Sequence, residues 1–222
     1  MRQFYAAFVG PGDLVFDIGA HAGNRTRSFA ALGCLVVAVE PQPDFARLLR
    51  AIATRSPRIQ IVEASVGASP GRATLLISDR TPTVTTVAEA WRETRAHDPD
   101  FAGVRWNRRI EVDSTTLDVL IARFGIPAFV KIDVEGGEPA VLVGLTRAIP
   151  ALSFEYLPRA LDEVERSVAR LSTLGSYLFN WSPGESYSLA ASRWMDAEAL
   201  LASLRTSAAQ HQSGDVYARL TP

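Results

Sequence analysis

The first 65 residues repeat one pattern three times, and it leaves few architectures open. "DLVFDIG" (13–19), "CLVVAVEP" (34–41) and "RIQIVEAS" (58–65) are short apolar runs of strand length. Between them lie two stretches of helical character. "NRTRSFAALG" (24–33) is stopped by Gly33, and "PDFARLLRAIATRS" (43–56) sets Phe45, Leu48, Leu49 and Ile52 on one face. Strands joined through helices at this spacing form crossover units, so the expected core is a parallel sheet with helices on both faces. A chain of 222 residues suits a single domain, 1–222, around one core.

The middle is less regular. "GRATLLIS" (71–78) and "RIEVDS" (109–114) read as strands, and the stretch between them breaks the rhythm. It reads as an insertion or lid at about 79–108 containing one helix. The alternation then resumes. "STTLDVLIARFG" (114–125) is a helix capped by Ser114 or Thr115 and stopped by Gly125. "AFVKIDV" (128–134) and "ALSFEYL" (151–157) are strands, and "EPAVLVGL" (138–145) is a helix with Pro139 in its first turn. A long helix (160–175) follows. "YLFNWS" is expected to pair with "SYSLAA" as a hairpin around "PGE" (183–185), before a helix (196–205) and a last strand, "DVYARL" (215–220).

Bulk properties exclude some functions. A net charge of −1 gives no electrostatic footprint for nucleic acid or an anionic membrane. No Asn/Asp-Pro-Pro-aromatic block of the nucleic-acid methylating kind follows the fourth core strand. No apolar run is long enough to span a membrane or serve as a signal peptide. Cys34 is the only cysteine, so no intrachain disulfide forms and a reducing cytoplasm fits. His97 and His211 sit in polar, surface-type segments. Trp91, Trp106, Trp181 and Trp194 are read as packing residues, with a cleft under the insertion as the alternative for some. Arg80, Arg105, Arg108 and Arg109 flank the insertion, where an acidic substrate and plain solvent are the two readings.

"FDIGAHAG" places Asp17 at a strand end, Gly19 in the turn and Gly23 at a helix start. Glycines there let backbone approach a ligand. A dinucleotide loop has a first glycine where this chain has Asp17, and a carboxylate at that point repels a pyrophosphate and attracts a cation. S-adenosylmethionine, with its sulfonium and ammonium, fits better than NAD. Glu40 ends the second strand and is placed to accept from two ribose hydroxyls, a feature of either cofactor.

Lys131 is the only lysine in the chain. It lies in a strand that should otherwise be apolar throughout, and alternation puts Asp133 on its face while Val130, Ile132 and Val134 share the other. A buried ammonium needs partners. The neighbouring strands offer Asp17 and Glu155, so Lys131 is expected to neutralise carboxylates. Asp133 and Glu155 are expected at the carboxyl edge of the sheet, where ligands bind. Glu135 and Glu138 are read as loop and helix-start residues.

"VFDIGAHAGNRT", "AVEPQPDFARLL", "EASVGASPGRATL" and "TTLDVLIARFGIPAFVKIDVEGGEPAVLVGL" occur in that order. Together they closely resemble the FkbM family of S-adenosylmethionine-dependent methyltransferases over roughly residues 11–157, with "KIDVEG" and the following "VL.G" the most specific part. The resemblance implies the class I methyltransferase fold, an α/β, Rossmann-like, mostly parallel seven-stranded sheet with one antiparallel strand. It implies O-methylation of a hydroxylated small molecule, sugar or natural product. By matching position, Asp17, Gly19 and Gly23 form the cofactor loop, Glu40 binds ribose, Ala64 and Ser65 lie by the adenine, and Asp133 lies near the methionine part and the acceptor. His21 stands where the family more often has Asn. Asp133 is the first candidate for base or positioner, Glu155 the second and His21 the third. A variant has Asp133 and Glu155, with Glu135, holding Mg²⁺. Rival readings are a non-catalytic S-adenosylmethionine-binding protein and a nicotinamide-dependent oxidoreductase.

Overall fold

The computed structural model describes residues 1–81, 84–95, 101, 103–206 and 212–221. His97 and His211 lie outside the described residues. A short helix, α1 (Arg2–Tyr5), precedes β1 (Leu14–Ile18), α2 (Asn24–Ala31), β2 (Leu35–Val39), α3 (Pro43–Ala53) and β3 (Ile59–Val62). The chain continues through β4 (Ser65–Val66), β5 (Gly71–Ile77), α4 (Glu89–Arg95), β6 (Arg108–Thr115) and α5 (Leu117–Phe124). The second half comprises β7 (Phe129–Ile132), α6 (Glu138–Val143), β8 (Ala151–Tyr156), α7 (Leu161–Leu174), β9 (Tyr177–Pro183), α8 (Ala197–Leu204) and β10 (Gly214–Leu220).

Seven strands form one sheet in the order β3-β2-β1-β7-β8-β10-β9. All run parallel except β10, which is antiparallel to both neighbours. The order reverses between β1 and β7, and that switch point is where a crevice opens at the carboxyl ends of the strands. Alternation sorts the side chains as expected. Phe16, Ile18, Val130, Ile132, Leu152 and Phe154 enter the large core under α5, α7 and α8, while Val15, Phe129 and Tyr217 enter a second core with Tyr5 and Phe29. Among the described residues, no helix is long and apolar enough to cross a membrane.

Three local expectations change. The α5 cap is Thr116, whose hydroxyl accepts from Val119 N, because Ser114 and Thr115 are still paired in β6. On α3 the buried residues are Ala46 and Leu49, and Leu48 is exposed. The hairpin is absent: β9 pairs with β10, and "SYSLAA" is irregular chain that meets β9 only through bonds such as Ala190 N to the Trp181 carbonyl. The strands β5 and β6 leave the main sheet and form a separate three-stranded sheet with β4. Two of the flanking arginines form ion pairs within the protein, Arg108 with Asp44 and Asp79, and Arg109 with Glu89.

Candidate active site

A cavity of about 400 Å³ opens at the switch point. Its floor comes from β1 and the turn after it (Asp17–Ala22), from Glu40–Gln42 after β2, and from Asp133–Glu135 after β7. Ala64 and Ser65 lie at one end, Glu155 joins from β8, and Thr85, Thr86 and Val87 of the β5–β6 connection form a wall.

Gly19 has φ +77, and a Cβ there would lie 1.7 Å from the Asp133 carbonyl oxygen. The β1 turn and the β7 turn therefore touch backbone to backbone, which only glycine permits. Gly23, expected in the cofactor loop, faces Leu49 and Ile52 of α3 and is not among the cavity residues. It caps α2 in a left-handed conformation. Asp17 is buried and accepts from the Thr26 hydroxyl. Burial pushes its carboxyl above the ordinary range, more than Thr26 and Arg25 lower it.

Glu40 is 5% exposed. Its two oxygens accept from His21 N and Gln42 N, each at 2.8 Å. Burial outweighs those bonds and pushes it up to about 7. His21 itself sits at φ 49 with its ring against Phe45 and its Nε2 buried without a partner. Burial lowers it, so the ring is neutral.

Lys131 is fully buried, and its partners differ from those expected. Its Nζ lies 2.9 Å from Asp215 Oδ1 and 3.4 Å from Asp133 Oδ2, and it donates to the Ile132 carbonyl at 3.0 Å. Asp17 is occupied by Thr26, and Glu155 makes no ion pair with Lys131. The reason is β10. It inserts antiparallel beside β8 and brings Asp215 into register with Glu155. Opposite Lys131 on β8 is the small Ser153, over which the lysine reaches β10.

Asp133 has a second cation, Arg25 of α2, at 3.2 Å. Arg25 also meets Glu185, beyond β9, at 3.1 Å. Burial raises the Asp133 carboxyl, but Lys131 and Arg25 overcome it and hold the group below its ordinary value. The opposite holds next door. Burial and the surrounding acids push Glu135 and Glu155 well above the carboxylate range, and burial brings Glu138 up to about 7. Oxygens of Asp133, Glu135 and Glu155 all lie within 4.8 Å of one another. Glu135 has φ 55 and is pinned by Thr86, whose hydroxyl donates to its carbonyl at 2.8 Å. Arg25, Glu185 and Asp215 were not singled out from the sequence.

Six carboxylates line the cavity (Asp17, Glu40, Asp133, Glu135, Glu155, Glu185), and Arg25 is the only arginine or lysine among the described lining residues. That donor set suits a ligand with a sulfonium and an ammonium and opposes a pyrophosphate. The profile of the methyltransferase FkbM domain matches residues 17–177. The chain belongs to the FkbM methyltransferase family. Its activity class is therefore S-adenosylmethionine-dependent methyl transfer. In structure it is similar to precorrin-6y C5,15-methyltransferase from Geobacter metallireducens, at 12% identity and TM-score 0.52, over 99% of this chain and 87% of that one. It also resembles an S-adenosylmethionine-dependent O-methyltransferase from Thermotoga maritima, at 14% identity and TM-score 0.46, over 100% and 64% of the two chains. Fibrillarin from Aeropyrum pernix, solved with bound S-adenosylmethionine, matches at 12% identity and TM-score 0.49, over 95% and 68%. The first likeness shows the class I methyltransferase fold. A search of curated proteins returned no match in sequence.

Proposed function

We propose that this FkbM-family protein methylates a hydroxyl of a small molecule, sugar or natural product, with Glu155 as proton acceptor and Asp133 as positioner. The observation that carries this is the split between the two acids. Asp133 is paired with Arg25 at 3.2 Å and Lys131 at 3.4 Å and is held ionised as a weak base, whereas Glu155 makes no ion pair among the described residues, and burial, then the neighbouring acids, raise its affinity for a proton. S-adenosylmethionine supplies a methyl group on a sulfonium, so transfer breaks an S–C bond, forms an O–C bond and releases the acceptor's hydroxyl proton. Glu40 accepts hydrogen bonds from the ribose, and Ala64 and Ser65 border the adenine. Asp133 offers a fixed negative charge to the methionine part. Glu155 takes the proton, and the segment at about 79–108 serves as the lid that keeps water out.

Asp133→Asn and Glu155→Gln test the assignment against a panel of hydroxylated acceptors. The expected result for Glu155→Gln is a loss of about 10²–10⁴-fold in kcat with S-adenosylhomocysteine binding retained. Asp133→Asn should weaken cofactor binding as well as turnover. Wild-type kcat in Glu155→Gln removes Glu155 as base.

A second reading follows from the crowding of Asp133, Glu135 and Glu155. Three carboxylates so close must share protons or a cation, and oxygen donors suit Mg²⁺. Turnover with S-adenosylmethionine and acceptor, in Mg²⁺ and in EDTA, separates the two. Identical turnover in both leaves the proton-sharing reading.

A further inference from the structure

We infer that Arg25 binds the α-carboxylate of the cofactor's methionine part, and that Glu185 occupies Arg25 as a stand-in carboxylate until the cofactor arrives. The inference rests on the S-adenosylmethionine-binding reading above. That cofactor brings two positive centres and one negative one. The positive centres match the six acids of the cavity, but the carboxylate is repelled by those acids and needs a compensating charge, which among the described lining residues only Arg25 or a cation behind the wall could supply. Lys131 is no help, because it is fully buried and its three ammonium hydrogens face Asp215, Asp133 and the Ile132 carbonyl. Arg25 remains. It lies in the first turn of α2, its side chain is 22% exposed at the cavity wall, and its Nε is buried without a hydrogen-bond partner. A guanidinium already anchored on Asp133 is preorganised to take a second carboxylate in its fork.

That second place is filled by Glu185, whose side chain is 69% exposed. An exposed partner makes a weak, screened pair, so exchanging one carboxylate for another on the same guanidinium costs little. Glu185 has somewhere to go, because its other oxygen accepts from the Tyr187 hydroxyl at 2.5 Å. It also lies beyond residue 177, outside the family match, so the stand-in is carried by this chain's own C-terminal part.

Calorimetry with two ligands tests this. S-adenosylhomocysteine carries the amino-acid part, and 5′-methylthioadenosine is the same thioether nucleoside without it. Arg25→Gln should weaken S-adenosylhomocysteine by about 10–100-fold while changing 5′-methylthioadenosine less than about twofold. Glu185→Gln should leave 5′-methylthioadenosine unchanged and tighten S-adenosylhomocysteine. Should Arg25→Gln fold poorly, Arg25→Lys keeps the charge without the fork, and selective weakening of S-adenosylhomocysteine is again expected. Equal loss of both ligands makes Arg25 a structural residue and overturns the inference, as does no loss of either. Weaker S-adenosylhomocysteine binding in Glu185→Gln overturns the stand-in role. If wild type binds neither ligand, the cofactor reading itself falls, and this inference with it.

Discussion

Lys131→Met removes the one fully buried cation of the sheet. The wild-type ammonium lies 2.9 Å from Asp215 and 3.4 Å from Asp133. The loss is unequal for the two acids. Asp133 keeps Arg25 at 3.2 Å, whereas Asp215, among the described residues, keeps the Tyr217 hydroxyl at 3.3 Å and no ion pair. One carboxylate is thus left uncompensated. Breaking a buried pair from one side costs about 3–5 kcal/mol, and with Asp133 still paired the expected cost is at the lower end. Against a typical total of about 5–15 kcal/mol, the variant folds but with much of its margin gone. Urea unfolding with an unchanged m-value measures it. Asp215→Asn alone leaves Lys131 on Asp133 and the Ile132 carbonyl and should cost less, about 1–2 kcal/mol. The double variant should be more stable than the summed singles by about 1.5–3 kcal/mol. A Lys131→Met variant within about 1 kcal/mol of wild type, or a double variant that is simply additive, refutes the reasoning.

Glu40 predicts a pH dependence. Its folded carboxyl is raised from 4.5 to about 7, so the folded state holds a proton that the unfolded chain has released, and stability falls as pH rises through that window. Glu40→Gln should flatten this part of the stability–pH curve, and it should also remove a rise in S-adenosylhomocysteine affinity through pH 7, where ionised Glu40 becomes available to the ribose. An unchanged profile in the variant counts against both. Gly19→Ala should abolish cofactor binding, because the new methyl meets the Asp133 carbonyl at 1.7 Å. Gly136→Ala, at φ +88, meets the Trp91 ring at 2.1 Å and should detach the β5–β6 connection from the β7 turn, read as faster proteolysis near Trp91. Thr116→Ala removes the α5 cap and should cost about 1 kcal/mol in thermal unfolding, with cofactor affinity unchanged.

The sheet was legible because its strands are short apolar runs separated by helices, and that pattern survives any detail of packing. Asp17, Glu40, Asp133 and Glu155 were legible for a related reason: they are acids at the carboxyl ends of parallel strands, and strand ends are where a parallel sheet opens. What was not legible came from non-local pairing. Strand β9 has the alternation of a hairpin arm, yet its partner is β10, and no local rule chooses between "SYSLAA" and a strand some thirty residues further on. Likewise β5 and β6 read as strands without saying which sheet they join.

The partner of Lys131 is the instructive case. From sequence, its face and its need for a carboxylate both follow, and Asp133 is found on that face. Choosing Asp17 or Glu155 as the further partner assumed that the nearest strands supply it. The actual partner, Asp215, requires that the last strand run antiparallel between β8 and β9, and that Ser153 be small enough for the lysine to reach across. The same insertion links the end of the chain to the site. Asp215 holds Lys131, Lys131 and Arg25 hold Asp133, and Arg25 holds Glu185. Signs alternate along the chain of contacts, so each charge is compensated by its neighbours without leaving the cavity's acids free to collapse onto one cation. Asp133 is thereby kept ionised and fixed, while Glu155 on the next strand is left without a cation of its own. The two acids, with oxygens within 4.8 Å of each other, thus differ in that the last strand's aspartate and Lys131 reach only Asp133, and the proposed division into base and positioner rests on that difference.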